Sequence, residues 1–171
     1  MSIATIYEAY TRYPHISTDT RKIAPGSIFF ALKGENFDGN AFVDKAIEAG
    51  AAYAVTDDPN NAGKEKCILV DDVLTALQLL ANHHRRQFAI PFLAITGSNG
   101  KTTTKELVLA VLSKKYKTYA TEGNLNNHIG VPLTLLKIGK DAEMAVIEMG
   151  ANHQLEIASY CVIACLLYTS D

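Results

Sequence analysis

The sequence lacks any long apolar run. No stretch approaches the roughly 20 consecutive apolar residues that a membrane-spanning helix needs. The N-terminus also lacks a charged region followed by an apolar segment, which is the pattern of a secretory leader. We therefore expect no membrane insertion and a cytoplasmic location.

The sequence also has little excess charge and few cysteines. Its formal net charge is −2, so it lacks the broad basic surface that nucleic-acid binding requires. The one basic cluster, residues 83–86, is short and suits the C-terminal end of a helix. Cys67, Cys161 and Cys165 contain no C-x-x-C pair, which argues against a disulfide framework or a zinc site. We expect them to be small buried thiols in a reducing compartment.

What the sequence does contain is an alternation of short apolar strands and helical segments, which is typical of an α/β fold. Its 171 residues allow one medium domain or two small ones, and 48% of them are hydrophobic. We expect a small N-terminal α/β domain over residues 1–84. Residues 85–171 are expected to form a second unit that is built on a parallel sheet.

The apolar pattern predicts individual elements in both domains. The first domain is predicted to contain strands over 27–32, 52–55 and 67–70, and helices over 41–49 and from 73 onward. The second is predicted to contain strands over 92–95, 117–121 and 144–147, and helices over 101–115 and 132–137. Leu107, Val108, Val111 and Leu112 are expected to form the apolar face of the helix that begins at Lys101.

A glycine-rich turn joins the strand at 92–95 to the following helix. Its glycines allow N–H groups to point at an anion, and the helix adds the positive end of its dipole. Lys101 supports this interpretation, because a cation in a first helical turn is unfavourable by about 0.3–1 kcal/mol unless an anion is bound. The commonest phosphate-loop pattern would need glycine at position 95, where Ile95 stands, so the loop is a shorter variant. The alternative is an ordinary strand–helix turn. The residues expected to bind the phosphates of a nucleoside triphosphate are Gly97, Ser98, Asn99, Gly100, Lys101, Thr102 and Thr103.

Glu148 is the candidate metal carboxylate. It follows the apolar strand at 144–147, and the carboxyl ends of parallel strands meet at one edge of the sheet, so it should lie close to the phosphate loop. Thr102 occupies the position whose hydroxyl ligates Mg²⁺ in phosphate loops. We expect Thr102 and Glu148 to hold the Mg²⁺ that accompanies ATP. The alternative is a glutamate at a strand end that points into water.

Four segments together resemble the Mur ligase family. The loop at 96–103 is similar to that family's phosphate loop, including its departure from the general pattern. Segments 123–136 and 146–154 look like the family members that add D-alanyl-D-alanine, and segment 19–34 is similar to their UDP-sugar-binding domain. The resemblance runs from about residue 15 to about residue 160 with its motifs in the right order. It implies that residues 1–84 are the domain that binds the UDP-linked muramoyl peptide. It also implies that residues 85–171 are the first part of a parallel-sheet, phosphate-loop ATPase domain, which is truncated.

This resemblance implies an ATP-dependent amide-bond ligase of peptidoglycan synthesis. ATP would phosphorylate the terminal carboxylate of UDP-N-acetylmuramoyl-tripeptide, and the amine of D-alanyl-D-alanine would attack the resulting acyl phosphate. Lys101, the loop N–H groups and Mg²⁺ would neutralise the charge that gathers when a carboxylate attacks a polyanion. The complete enzyme is expected to be a monomer.

The polar loop after the strand at 117–121 supplies further candidates. Asn126 and Asn127 are candidate catalytic residues, because amides donate to carboxylates and phosphates without adding charge. Together with Asn124 and His128 they are also candidate substrate-binding residues. The alternative is that these side chains merely satisfy a turn. His153 is a candidate catalytic residue as well, although a histidine after a strand is commonly structural.

In the first domain, Thr20, Arg21 and Lys33 are candidates for binding the uridine diphosphate. Guanidinium and ammonium groups suit diphosphate oxygens. Pairing with neighbouring surface carboxylates is the competing account of the two cations.

The motif resemblance stops after Tyr160. Family members continue with a histidine for a second Mg²⁺, a lysine that becomes carbamylated, and a third domain, and we place none of these in this sequence. We expect little or no ligase turnover from this chain alone. Two other functions stay open: another ligase of the superfamily, of the Mur or folylpolyglutamate type, and a non-catalytic nucleotide-binding module.

Overall fold

A computed structural model describes residues 3–166 of the chain. The chain divides between Leu80 and Ala81 into two compact units, each with its own parallel sheet. This division falls within one helix, slightly before the boundary expected at residue 84. The α/β class is confirmed.

The first unit is built on a four-stranded parallel sheet in the order β1-β2-β5-β6. Its elements are α1 (Ile3–Arg12), β1 (Ile16–Ser17), β2 (Ile28–Phe30), β3 (Lys33–Gly34), β4 (Phe37–Asp38), α2 (Val43–Glu48), β5 (Tyr53–Thr56), β6 (Cys67–Leu69) and the first part of α3 (Val73–Arg85). The last part of α3, from Ala81, belongs to the second unit. Short 3₁₀ helices span Thr20–Lys22, Gly39–Phe42 and Pro59–Asn61. The core cluster packs β2 and β5 against α2 through Phe29, Ala31, Val43, Ala46, Ala51 and Ala54. These strands are uninterrupted apolar runs, as expected where both faces of a parallel sheet are covered.

The polar segment at 33–40 contains a small antiparallel hairpin, in which β3 pairs with β4. The ring of Phe37 stacks on that of Phe42, with 5.4 Å between centroids. Asn40 anchors the end of the hairpin, because its side chain is buried and bonds to Asp38, Thr56 and Asp57. Thr56 and Asp57 lie 16 and 17 residues from Asn40 along the chain, so no local pattern in the sequence indicates these two contacts.

The second unit is built on a three-stranded parallel sheet in the order β7-β9-β8. Its elements are β7 (Phe92–Ile95), α4 (Lys101–Leu112), β8 (Thr118–Ala120), α5 (Gly130–Leu136), β9 (Met144–Glu148) and α6 (Glu156–Ile163). The central strand β9 is buried along almost its whole length. Ile95 of β7 stands opposite Glu148 of β9, so both strands deliver their following residues to the same sheet edge.

The expected apolar face of α4 is only partly covered. Leu107 and Val111 are 65% and 71% exposed, although both were predicted to pack. The more buried side of α4 includes Lys105, Val108 and Leu112, at helical spacing, so Val108 and Leu112 lie on it while Leu107 and Val111 do not. The apolar residues were therefore predicted to share one face, and the structure divides them between two.

Helix α6 was not predicted, and it lies where the motif resemblance ends. Its buried Tyr160 and Ile163 pack it into the unit. Side chains from the end of α3 satisfy its last carbonyl groups: Asn82 donates to those of Val162 and Ile163, and Arg85 donates to that of Ala164. A cation at a helix C-terminus is favoured by the helix dipole. The basic cluster at 83–86 stands at the C-terminal end of α3, as expected, although His84 is buried there. The final residues of the sequence, 167–171, lie outside the described part.

His84, near the end of α3, is expected to make the stability of the second unit depend on pH. Its Nε2 lies 3.0 Å from the Ile138 carbonyl oxygen, and burial lowers the pKa of His84 below its ordinary value. A histidine with a lowered folded-state pKa stabilises the fold fully above its unfolded pKa, about 6.5, and that contribution is lost as the pH falls below it. We expect the urea midpoint of unfolding to fall between about pH 7 and about pH 5, and to fall less in His84→Asn. The exposed His153→Asn variant is the control and should retain the full slope; equal slopes in all three proteins would contradict the assignment.

No helix within residues 3–166 combines the length and apolar character needed to cross a membrane.

Candidate functional site

The glycine-rich loop that is predicted to bind phosphate lies between the end of β7 and the start of α4. Gly100 takes a left-handed conformation, φ 77°, immediately before α4, and Gly97 has φ 141°. Both values are unfavourable for residues with a side chain, so the turn requires glycine at these two positions. Residues 96–100 are exposed to solvent. An open turn that precedes a helix N-terminus is the arrangement expected of a phosphate site.

Lys101 folds back over this loop. Its Nζ donates a hydrogen bond of 2.6 Å to the carbonyl oxygen of Gly97. The amine therefore lies on the loop itself, close to where an anion would be bound by the backbone N–H groups. A bound phosphate would compete with this carbonyl for the amine.

Glu148 stands at the same edge of the sheet and is buried, with 1% of its surface exposed. Its Oε1 accepts hydrogen bonds from the Thr102 hydroxyl at 3.1 Å and from the Asn126 amide at 2.8 Å. Its Oε2 is also buried and has no hydrogen-bond partner. A buried carboxylate oxygen without a partner is unfavourable, so the geometry calls for a further positive or donor group.

This arrangement fits Mg²⁺. The ion prefers one or two protein oxygen ligands and takes its remaining ligands from water and from phosphate oxygens. Thr102 and Glu148 would hold it. Within the described residues, no group of three or more His, Cys, Asp or Glu side chains could hold a metal ion by itself. The donor set is therefore the one expected for a metal that arrives with a nucleotide.

The asparagine loop at 124–128 divides into two roles. Asn126 binds Glu148, and its carbonyl oxygen accepts the N–H of Gly150 at 2.7 Å, so it links the β8 and β9 ends. The side-chain oxygen of Asn127 instead accepts the N–H groups of Ile129 and Gly130 and caps the start of α5. The cap favours the structural alternative for Asn127 over the predicted catalytic role.

The remaining candidates of this segment are Asn124 and His128, and His153 follows β9. The carbonyl of Asn124 accepts the N–H of Asn126, and the side chains of Asn124 and His128 are exposed. His153 is exposed too, and its N–H donates to Glu156 rather than to the loop or to Glu148. The N–H groups of Asn152 and His153 hold the pKa of Glu156 below its ordinary value. Glu156 was missed by sequence reasoning, since nothing local marks it as a partner of these N–H groups.

The cations proposed for the first unit both have carboxylate partners. Arg21 forms a two-point contact with Asp19, and this guanidinium lowers the pKa of Asp19 to about 2. The Nζ of Lys33 lies 2.8 Å from the carboxylate of Asp57. These contacts favour surface pairing, the competing account, for both cations. Thr20 begins the short 3₁₀ helix that Asp19 caps.

Two family models match the chain. The model described as the Mur ligase family catalytic domain covers residues 12–85, and the Mur ligase middle domain covers residues 95–165. The second match extends beyond Tyr160, where the motif resemblance was expected to stop.

Curated relatives agree with these matches. The chain is 48% identical over 144 residues to the UDP-N-acetylmuramoyl-tripeptide–D-alanyl-D-alanine ligase of Bacillus subtilis. The aligned region covers 83% of this chain and 32% of the relative. The chain is 46% identical over 143 residues to the Escherichia coli ligase of the same name, with 84% and 31% covered. The chain thus spans about a third of the length of the curated relatives it matches.

Solved structures show the same similarity. A MurF crystal structure from Acinetobacter baumannii superposes with a TM-score of 0.85 at 37% identity, covering 95% of this chain and 38% of that one. The MurF ligase of Thermotoga maritima, solved in complex with ADP, gives 0.82 at 33% identity, covering 92% of this chain and 36% of that one.

Proposed function

This chain belongs to the Mur ligase family, and from that premise we propose that it forms part of an ATP-dependent ligase that joins D-alanyl-D-alanine to UDP-N-acetylmuramoyl-tripeptide. In this proposal residues 1–84 contribute to binding the UDP-linked peptide. Residues 85–171 contribute the phosphate loop and the first metal carboxylate of the ATP site.

One observation carries the proposal: the Thr102 hydroxyl lies 3.1 Å from the buried carboxylate of Glu148, directly after a glycine-rich loop. A loop alone would bind a phosphate, but the pairing of a helix-start hydroxyl with a strand-end carboxylate is what a nucleotide-bound Mg²⁺ requires. Relatives named for this reaction share 46–48% of their residues with the chain over the matched region.

The chemistry of the reaction sets the demands on the site. A carboxylate oxygen of the tripeptide forms a bond to the γ-phosphorus of ATP, and the bond to ADP breaks. The amine of D-alanyl-D-alanine then forms the amide bond at the acyl carbon, loses a proton, and phosphate leaves. Thr102 and Glu148 would hold Mg²⁺, which would supply positive charge near the phosphate oxygens.

Several residues of the chain are placed to assist the transfer of the γ-phosphoryl group. Lys101 and the loop N–H groups bind and neutralise the β- and γ-phosphate oxygens. Asn126 holds Oε1 of Glu148 through its amide, so that Oε2 keeps its orientation. A carboxylate fixed by a neighbouring donor binds a metal more tightly than one free to rotate.

The proposal is tested by titrating this chain calorimetrically with Mg-ATP, UDP-N-acetylmuramoyl-tripeptide and a folate substrate. We expect it to bind the first two and not the folate. We also expect no steady phosphate release when Mg-ATP, the UDP-linked tripeptide and D-alanyl-D-alanine are supplied together, since the chain covers a third of its relatives. Binding of the folate in preference to the UDP-linked peptide would overturn the assignment, and phosphate release that needs both substrates would contradict the expected inactivity.

A further inference from the structure

Lys105 is a buried cation on α4 that the site described above does not use. Only 1% of its surface is exposed, which makes it one of the largest fully buried side chains of the chain. It lies three residues after Thr102 on the helix, so the two side chains occupy one face. Lysine is rarely buried without a partner, because an ammonium group loses its hydration.

Two partners account for its burial. The Nζ of Lys105 donates 2.7 Å to the carbonyl oxygen of Thr121 and lies 2.7 Å from a carboxylate oxygen of Glu106. The side chain of Glu106 is 59% exposed, so its charge remains hydrated while it balances the amine. The amine itself is directed inward, at the residue that follows β8.

Thr121 connects Lys105 to Glu148, the proposed metal ligand, because it forms hydrogen bonds with both. It is 2% exposed, and its Oγ1 accepts the backbone N–H of Glu148 at 2.9 Å. The carboxylate of Glu148 in turn accepts the hydroxyl of Thr102. The hydrogen bonds therefore form a closed ring that leaves α4 at Lys105, runs through Thr121 and Glu148, and returns to α4 at Thr102.

We propose that Lys105 is a positioning residue for the metal carboxylate, which acts by holding Thr121 so that the Thr121 hydroxyl fixes the backbone of Glu148. This rests on the proposed Mg-ATP site. Packing alone would be met by an apolar side chain of the same length. The amine adds a directed bond to the one residue that accepts the Glu148 N–H, and second-sphere bonds of this kind tune metal affinity.

The test compares ATP binding with and without Mg²⁺ in four variants by calorimetry. They are Lys105→Met, Thr121→Val, the double variant, and Lys114→Met as the matched control at an exposed lysine after α4. In the unmodified chain, ATP should bind more tightly with Mg²⁺ than in EDTA. We expect this ratio of affinities to be about 10-fold smaller in both single variants, while their ATP affinity in EDTA is unchanged. The double variant should be no worse than either single one, because both break the same ring. Equal losses with and without Mg²⁺, no loss, or losses that add in the double variant would overturn the proposal.

A second measurement needs no ligand and so separates this proposal from the proposed function. Hydrogen exchange of the Glu148 amide should become about 10-fold faster in Lys105→Met than in the unmodified chain. The reference is the Ala145 amide, at the other end of β9, which donates to Pro91 and should be unaffected. An unchanged Glu148 amide, or equal acceleration of both amides, would overturn the positioning role. If the unmodified chain binds no Mg-ATP, the proposed function fails for this chain, and this exchange experiment still decides the role of Lys105.

Discussion

Replacing Lys101 by alanine is expected to weaken the binding of Mg-ATP to this chain by about 100-fold, because hydrogen bonds to charged groups contribute about 1.5–3 kcal/mol. In the free chain the Lys101 amine donates to the carbonyl of Gly97, within the loop that would bind the phosphates. A polyphosphate is a stronger acceptor than a carbonyl group, so the amine should transfer to it on binding. The alanine variant retains the backbone N–H groups and the helix dipole, which is why residual binding should survive.

The same substitution should leave the fold intact. A lysine in the first turn of α4 opposes the helix dipole, so its removal should not lower the thermal midpoint of the ligand-free chain. Calorimetric titration measures the affinity, and Lys140→Ala, at an exposed lysine away from the loop, is the matched control. Affinities of Lys101→Ala and the unmodified chain within about twofold of each other would show that this amine does not bind phosphate.

The parts of this site that sequence reasoning predicted depend on strong local patterns. The strand at 92–95 and the turn after it were predicted because an apolar run ends at glycines that only a sharp turn requires. Glu148 was predicted to share their edge from the general geometry of parallel sheets, and the structure places it opposite Ile95 as the last residue of β9. Its depth of burial was not predicted, because that depends on the asparagine loop that packs over it.

The parts that were missed depend on contacts between distant segments. Lys105 has no local signature, since its buried role exists only where Thr121 ends the neighbouring strand. The pairing of Lys33 with Asp57 likewise joins residues that no periodicity connects. Asn126 and Asn127 are adjacent and chemically identical, yet the side chain of one binds the Glu148 carboxylate and that of the other binds N–H groups at the start of α5. Only the backbone path around α5 decides between these roles.

That path depends on Gly130, and Gly130→Ala is expected to lower the free energy of unfolding by about 3 kcal/mol, at the upper end for overpacking. A Cβ atom at this position would lie 2.3 Å from the carbonyl carbon of Leu125 and 2.5 Å from its Cα. Both are backbone atoms, so no side-chain rotation relieves the contact. Gly130 is also buried at the first position of α5. Urea unfolding measures the change, with Gly34→Ala as the control, because nothing lies within 4 Å of a Cβ built at Gly34.

The strain introduced at Gly130 should also reach the phosphate site. Leu125 precedes Asn126, whose amide holds Glu148 and whose carbonyl binds the N–H of Gly150. If Leu125 moves to accommodate a methyl group, Asn126 must move with it, and the Glu148 carboxylate loses its donor. In the fraction that stays folded, we therefore expect Gly130→Ala to weaken ATP binding more in Mg²⁺ than in EDTA. If Gly130→Ala keeps the free energy of unfolding of the unmodified chain, the start of α5 accommodates a methyl group without strain. The close contact between Gly130 and Leu125 would then not be what holds the asparagine loop in place.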